Sequence, residues 1–429
     1  MHAPKTARFT VTRRDLTYLH LLAWAIFALV FVGAVQQLFH ENQERDFVFF
    51  YSDGRILNER PPADLYEYSV QKKVFQEVLP LHKGEWGPSP YPPFVALFFR
   101  PFARLSYWTG CRVWMGITLV LYIGGISLLN KRFLGGDRLG QSLVFCFALS
   151  YWPFLYWTLL NSQLSAVGFF AMAVAIYLEN VNLTYLSGLA LSICLYKPTL
   201  LILVLPMLLI TRRFKTFAGF SLGAITLTAF TIWAVGPSVW QGYFRMSAEF
   251  ARTRQHIFLC NYVDIQAFSL MIAHGITSLR VVVLWLGIIP AVYLLRLWWL
   301  VRRSVPHITT NWVWATTITW TLLLNFYVPY YDSILIVISI IITARSFSSF
   351  GRFVFLNICC CVLLFSHLTR QIALGTGWQM LTLIFAALGT LQLVVSRADL
   401  MLLTAKPKAF QSAVARGSNR TLLSAQQDN

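Results

Sequence analysis

Apolar residues in this chain fall in long runs separated by short polar breaks. A helix needs about 20 apolar residues to cross a bilayer, and fewer where it ends inside protein. On that rule spans are expected near 17–39, 108–129, 139–158, 164–179, 183–196, 199–211, 216–236, 281–301, 311–326, 333–344, 353–369 and 378–396, twelve in all, with 10–13 as the range. The expected fold class is all-α, a polytopic integral membrane protein with a single membrane domain over 1–396. Residues 40–107 and 237–280 form two long loops, and 397–429 a polar tail. Residues 93–106 are apolar but contain Arg100, Pro101 and Arg104. That argues for a re-entrant or interfacial helix, because an arginine at mid-bilayer is costly.

The basic residues orient the runs. Arg13 and Arg14 precede the first, and alternate turns carry Lys131-Arg132, Arg212-Arg213-Lys215, Arg302-Arg303 and Arg345. The opposite short turns hold Lys197 and Arg370. By the positive-inside rule both termini are cytoplasmic and both long loops face outward, in a multi-pass protein of the plasma (inner) membrane. The Thr12-Arg13-Arg14-Asp15 start is similar to a twin-arginine export signal. With no small-residue cleavage site after the run, an uncleaved signal anchor is expected.

Composition agrees. Of 429 residues, 57% are hydrophobic and only 12% charged, too few to coat a soluble globule of this size. The net charge of +18 would suggest nucleic acid in a soluble protein, but here it tracks the cytoplasmic turns, so no nucleic-acid partner is needed. The seven cysteines lie mostly in apolar runs, and the Cys359-Cys360-Cys361 triplet splays around a helix with no second ligand pair at zinc spacing. No metal site or cofactor is expected. Phosphate-loop, dinucleotide, zinc-protease and serine-hydrolase motifs are absent from usable contexts.

Five polar groups recur at the outer boundary: Asp46, Tyr91-Pro92-Pro93, Asn161-Ser162-Gln163, Lys197-Pro198 and the Tyr327–Asp332 turn. Polar groups at such a boundary pair with one another or line a cavity, so a shared outward-opening site is expected. Asp332 is the only acid between Asp264 and Asp399. It reads equally as an N-cap of the next helix or as a cavity carboxylate. Lys197 either snorkels to headgroups or contacts a phosphate. The first loop holds nine of the chain's 17 acids. Asp46 and Asp53, seven residues apart, would share a helical face about 10 Å apart, too far to act on one atom. In the second loop Trp240, Tyr243, Arg245, Arg252, Arg254 and His256 fit either an amphipathic helix on anionic lipid or a phosphate clamp.

Asp46–Arg55 with Leu65-Tyr66, then Tyr91–Phe94, Asn161–Gln163, Lys197-Pro198, Gly236 with Trp240, and Tyr331-Asp332-Ser333, resemble glycosyltransferase family 87 of the GT-C superfamily in order, over most of 40–340. The resemblance implies a GT-C-like enzyme moving a sugar, mannose or another hexose, from a polyprenyl phosphate donor to an extracytoplasmic lipid or glycan acceptor. It puts the general base at Asp46. Asp53 departs from the family pattern, where that position is small and uncharged, and tyrosines stand in the 327–332 turn where some members have histidine. Tyr91, Pro92, Asn161, Gln163, Lys197, Arg252, Arg254, Tyr331 and Asp332 are the expected substrate contacts, and membrane lipids are further partners. Two other classes fit the same pattern: a multispanning transporter or lipid-linked sugar flippase, and a non-catalytic partner in envelope polysaccharide assembly.

Overall fold

A computed structural model describes residues 13–38, 45–80, 87–253, 259–273, 275–302, 307–344, 346–347 and 349–396. Among these the regular structure is helical, and an isolated bridge pairs Tyr262 with Pro329. Helices overlie the apolar runs, but their lengths divide them. Tyr107–Phe133, Phe214–Val235 and Thr277–Val301 are long and apolar enough to cross a membrane. Arg138–Ser150 and Pro153–Leu160 make a fourth candidate, bent by 55°. Ser165–Asn180, Thr184–Tyr196, Pro198–Ile210, Tyr330–Ala344 and Met380–Ser396 are shorter. Thirteen residues of helix reach about 20 Å, against a hydrocarbon core of about 30 Å. Such helices must end inside protein, where their terminal backbone groups find partners.

Helix contacts are close where side chains are small. A Cβ on Gly188 would lie 2.0 Å from the Thr216 carbonyl oxygen, and one on Gly219 would lie 2.1 Å from that of Tyr185. The two glycines therefore let the helices Thr184–Ser192 and Phe214–Val235 meet backbone to backbone. Every residue of Leu335–Ala344 is buried. Its Ser339 hydroxyl is within 2.7 Å of the Thr319 hydroxyl and accepts from Gln392 at 2.8 Å, tying three helices together. Glu179 pairs with Arg213 and accepts from the Trp314 indole at 2.6 Å. A buried carboxylate is tolerated only with partners of this kind.

The two long loops pack as a unit. Helix Phe47–Glu59 buries Phe47 and Phe50 against Phe99, with ring centroids 5.9 and 5.1 Å apart. Residues 93–106 form the short helix Pro93–Phe99 and the turn Phe102–Arg104. Arg100 is occupied there, donating to Asn58 at 3.2 Å and accepting from its amide at 2.9 Å through the backbone carbonyl. In the second loop, Ser238–Thr253 turns Val239, Tyr243 and Met246 onto Leu65 and Tyr66 of the first. Arg245 reaches Glu67 at 2.7 Å. Part of the apolar face of this helix is thus spent on the first loop, while Phe244 stays exposed. Glu41, Glu44, Glu85, Arg254, His256, Arg303, Arg345 and the tail 397–429 lie outside the described residues.

Candidate active site

Asp46 sits at the entrance of helix Phe47–Glu59, half-buried, and its side chain makes no capping bond to that helix. It accepts instead from the Gln163 amide at 2.6 Å. Gln163 is placed by a break between Pro153–Leu160 and Ser165–Asn180. Ser162 takes a left-handed conformation there, with φ 60°, and its carbonyl accepts from the Trp114 indole at 3.0 Å. The Tyr91 hydroxyl donates to the other end of the Gln163 amide at 3.4 Å. Tyr91 is itself held by the Tyr66 hydroxyl, 2.5 Å from its carbonyl, and by Phe50, whose ring stands edge-on at 4.9 Å. The result is a directed chain from Tyr91 through Gln163 to Asp46.

Asp332 lies inside the turn Tyr330–Ile334, whose N-cap is Pro329 and which has no side-chain cap. The N-cap reading of Asp332 is therefore set aside. Its carboxylate pairs with the Lys197 ammonium and accepts from the Ser165 hydroxyl at 2.8 Å, and the carboxylate is fully buried. Lys197 stands at the junction of Thr184–Tyr196 and Pro198–Ile210, with its ammonium 4.8 Å from the Tyr327 ring and 4.7 Å from that of Tyr331. Aromatic faces favour a desolvated cation, so Lys197 is held on three sides. Ser165 opens the helix two residues after Gln163. One helix start thus touches both carboxylates, and Tyr91 lies in the field of both.

Burial pushes the Asp46 carboxyl above its usual range, against the opposing pull of the Gln163 bond. Burial raises Asp53 further; its single donor partner is the Ser89 hydroxyl at 2.6 Å. The two acids have different donor partners, Gln163 and Ser89. Asp264 accepts from the Ala267 amide at 2.9 Å and the Val328 amide at 3.0 Å, fastening the second loop to the turn that carries Tyr331 and Asp332. Burial pushes its carboxyl up to about 6.

Of the residues expected from sequence, Asp46, Tyr91, Gln163, Lys197, Tyr331 and Asp332 come together in this cluster. Pro92 is buried and precedes helix Pro93–Phe99, a role in shaping the backbone. Asn161 closes Pro153–Leu160 through its backbone amide, 3.0 Å from the Tyr156 carbonyl. Arg252 is exposed near the end of Ser238–Thr253, and Arg254 lies outside the described residues. Ser165 was invisible in the sequence, being one hydroxyl at the start of an apolar run. Among the described residues no three of His, Cys, Asp and Glu gather as a metal site.

Residues 90–325, more than half of the chain, match the model of glycosyltransferase family 87. The chain belongs to that family. It is a membrane glycosyltransferase, as its apolar helices also require. The match takes in Tyr91, Gln163 and Lys197 from the cluster, whereas Asp46, Tyr331 and Asp332 fall beyond its limits. The matched residues make up most of the 40–340 stretch that resembles family 87. No curated protein and no solved structure matches the chain.

Proposed function

We propose that this family 87 enzyme transfers a hexose, such as mannose, from a polyprenyl phosphate to a lipid or glycan acceptor outside the cytoplasmic membrane, with Asp46 as general base. The observation that carries the proposal is the Tyr91–Gln163–Asp46 chain beside the Lys197–Asp332 pair. Asp46 is half-buried and held by one neutral donor, so its carboxyl has a raised proton affinity without a cation to quench it. It takes the proton of the acceptor hydroxyl as that oxygen attacks the anomeric carbon. The bond from that carbon to the phosphate oxygen breaks, and the polyprenyl phosphate leaves with the electron pair.

Charge developing on the leaving phosphate needs a cation. Lys197 is the nearest one in the cluster, already balanced by Asp332, so an arriving phosphate shares the ammonium with that carboxylate. Arg252 and Arg254, on the second loop, are the remaining candidates to meet it. A lipid donor is consistent with an apolar cavity of about 810 Å³ lined by Phe268, Leu286, Tyr293, Leu297, Trp320 and Leu383. Ile265 also lines it, next to Asp264, which holds the turn carrying Tyr331 and Asp332. In this reading the chain crosses the membrane twelve times with both termini cytoplasmic, and the cluster faces outward.

The test is purified protein with radiolabelled polyprenyl-phosphate sugars and a membrane acceptor fraction. Asp46→Asn is expected to lose transfer, by about a hundredfold or more, with expression and membrane insertion intact. Transfer at the wild-type rate by that variant overturns the assignment of the base. Movement of the lipid across vesicles without transfer would favour a flippase.

A further inference from the structure

A second charged surface lies at the far end of the helix that begins beside Lys197. Pro198–Ile210 carries the chain away from the cluster by about 20 Å. At its other end a cavity of about 730 Å³ is lined by Leu209, Ile210, Arg212, Phe214, Leu295, Arg296, Trp299 and Arg302, three arginines and no acid. The three are exposed, and among the described residues no carboxylate pairs with any of them. The neighbouring Arg213 makes the contrast, because it is spent on Glu179.

Arg296 is the informative member. It lies within Thr277–Val301, the most apolar of the three long helices and the least covered by protein, with 11% of its central window buried. Exposed Leu295, Ile289, Val292 and Trp285 on that helix are surfaces for hydrocarbon. A guanidinium among them requires an anion that a bilayer can supply. Arg302 stands about 9 Å along the axis, with Trp299 between, an aromatic of the kind found at headgroup level. Arg212 closes the cavity from the turn between Val204–Ile210 and Phe214–Val235. Guanidinium groups take phosphate oxygens in pairs, and exposed Phe214, Leu209 and Leu295 flank the arginines as acyl chains would need.

We infer that Arg212, Arg296 and Arg302 bind the phosphate of an anionic phospholipid, whose acyl chains lie along Thr277–Val301. Arg296 also lines the apolar cavity offered above for the lipid donor, but the three arginines lie apart from the carboxylate cluster, and the test reads phospholipid binding rather than sugar transfer. It is tested on the purified full chain by native mass spectrometry and thermal unfolding, with added phosphatidylglycerol, phosphatidylcholine or glycerol 3-phosphate. Phosphatidylglycerol is expected to stay bound and raise Tm, and phosphatidylcholine to do neither. The variant Arg212→Gln/Arg296→Gln/Arg302→Gln is expected to hold phosphatidylglycerol about tenfold less tightly or worse. Arg296→Gln alone, the milder change, is expected to weaken it in the same direction, so a triple variant that fails to fold still leaves a measurement. Equal retention of the two phospholipids, unchanged retention by Arg296→Gln, or stabilisation by glycerol 3-phosphate without lipid each overturns the inference.

Discussion

At the scale of single residues, burial raises the Asp46 carboxyl and Gln163 opposes it. Its amide donates to the carboxylate at 2.6 Å and so favours the charged form, against the burial that raises the carboxyl. Removing that donor leaves burial unopposed. Gln163→Ala is therefore expected to move the acid limb of kcat/KM to higher pH and to lower the plateau by tenfold or more, a magnitude in the range for a lost positioning contact to a catalytic acid or base. A limb that stays in place while the rate falls would mean that Gln163 only shapes the pocket. The relay was half legible in the sequence. Asp46, Tyr91 and Gln163 stood out as polar residues at boundaries of apolar runs. Their partners did not, because 117 residues separate Gln163 from Asp46 and periodicity says nothing about which helix ends meet. For the same reason Asp332 read equally as a cap, although 135 residues away Lys197 supplies its counter-charge.

At the scale of elements, the site depends on how a turn is held. Residues 327–332 carry Tyr327, Tyr331 and Asp332, and Asp264 fastens them to the helix Ile265–Ala273 by accepting from the Val328 and Ala267 amides. Thr382 adds a hydroxyl bond to the Val263 carbonyl at 2.8 Å, and Val263 donates to the Val328 carbonyl at 2.9 Å. Asp264→Ala strands two buried amides, at a cost of about 1–3 kcal/mol each, and is expected to lower Tm and transfer together. The carboxyl sits at about 6, above its unfolded value near 4, so the fold holds this proton longer than the unfolded chain. Its contribution to stability is then greatest below pH 4, falls as pH rises to about 6, and is flat above. Thermal unfolding across pH 4–7 should show that slope in the wild type and lose it in Asp264→Asn. A slope that survives in Asp264→Asn assigns the titration elsewhere. The sequence marked Asp264 only as the last acid before Asp332. Its work as a fastener depends on a loop-to-loop approach that no local pattern encodes.

At the scale of the whole molecule, the charge distribution and the helix lengths make one claim about orientation. Apolar runs marked where helices form, because exposure of backbone to hydrocarbon leaves helix as the available structure. They did not mark which helices cross, since a short buried helix and half of a broken span have the same composition. Orientation rests instead on Lys131, Arg132, Arg212 and Arg213 lying at helix ends remote from Asp46, Lys197 and Asp332. Cys111, Cys146, Cys194, Cys260 and Cys359 are free and buried, so a thiol introduced at the surface can be read against them. Tyr68 is 44% exposed on the first loop, and Lys131 is exposed at the other end of Tyr107–Phe133. With a membrane-impermeant maleimide, Tyr68→Cys is expected to be labelled in intact cells, and Lys131→Cys only after the membrane is opened. The reverse pattern would put the carboxylate cluster on the cytoplasmic side, where a nucleotide-linked donor could reach it and a polyprenyl phosphate facing outward could not. The labelling therefore tests the orientation on which a lipid-linked donor depends.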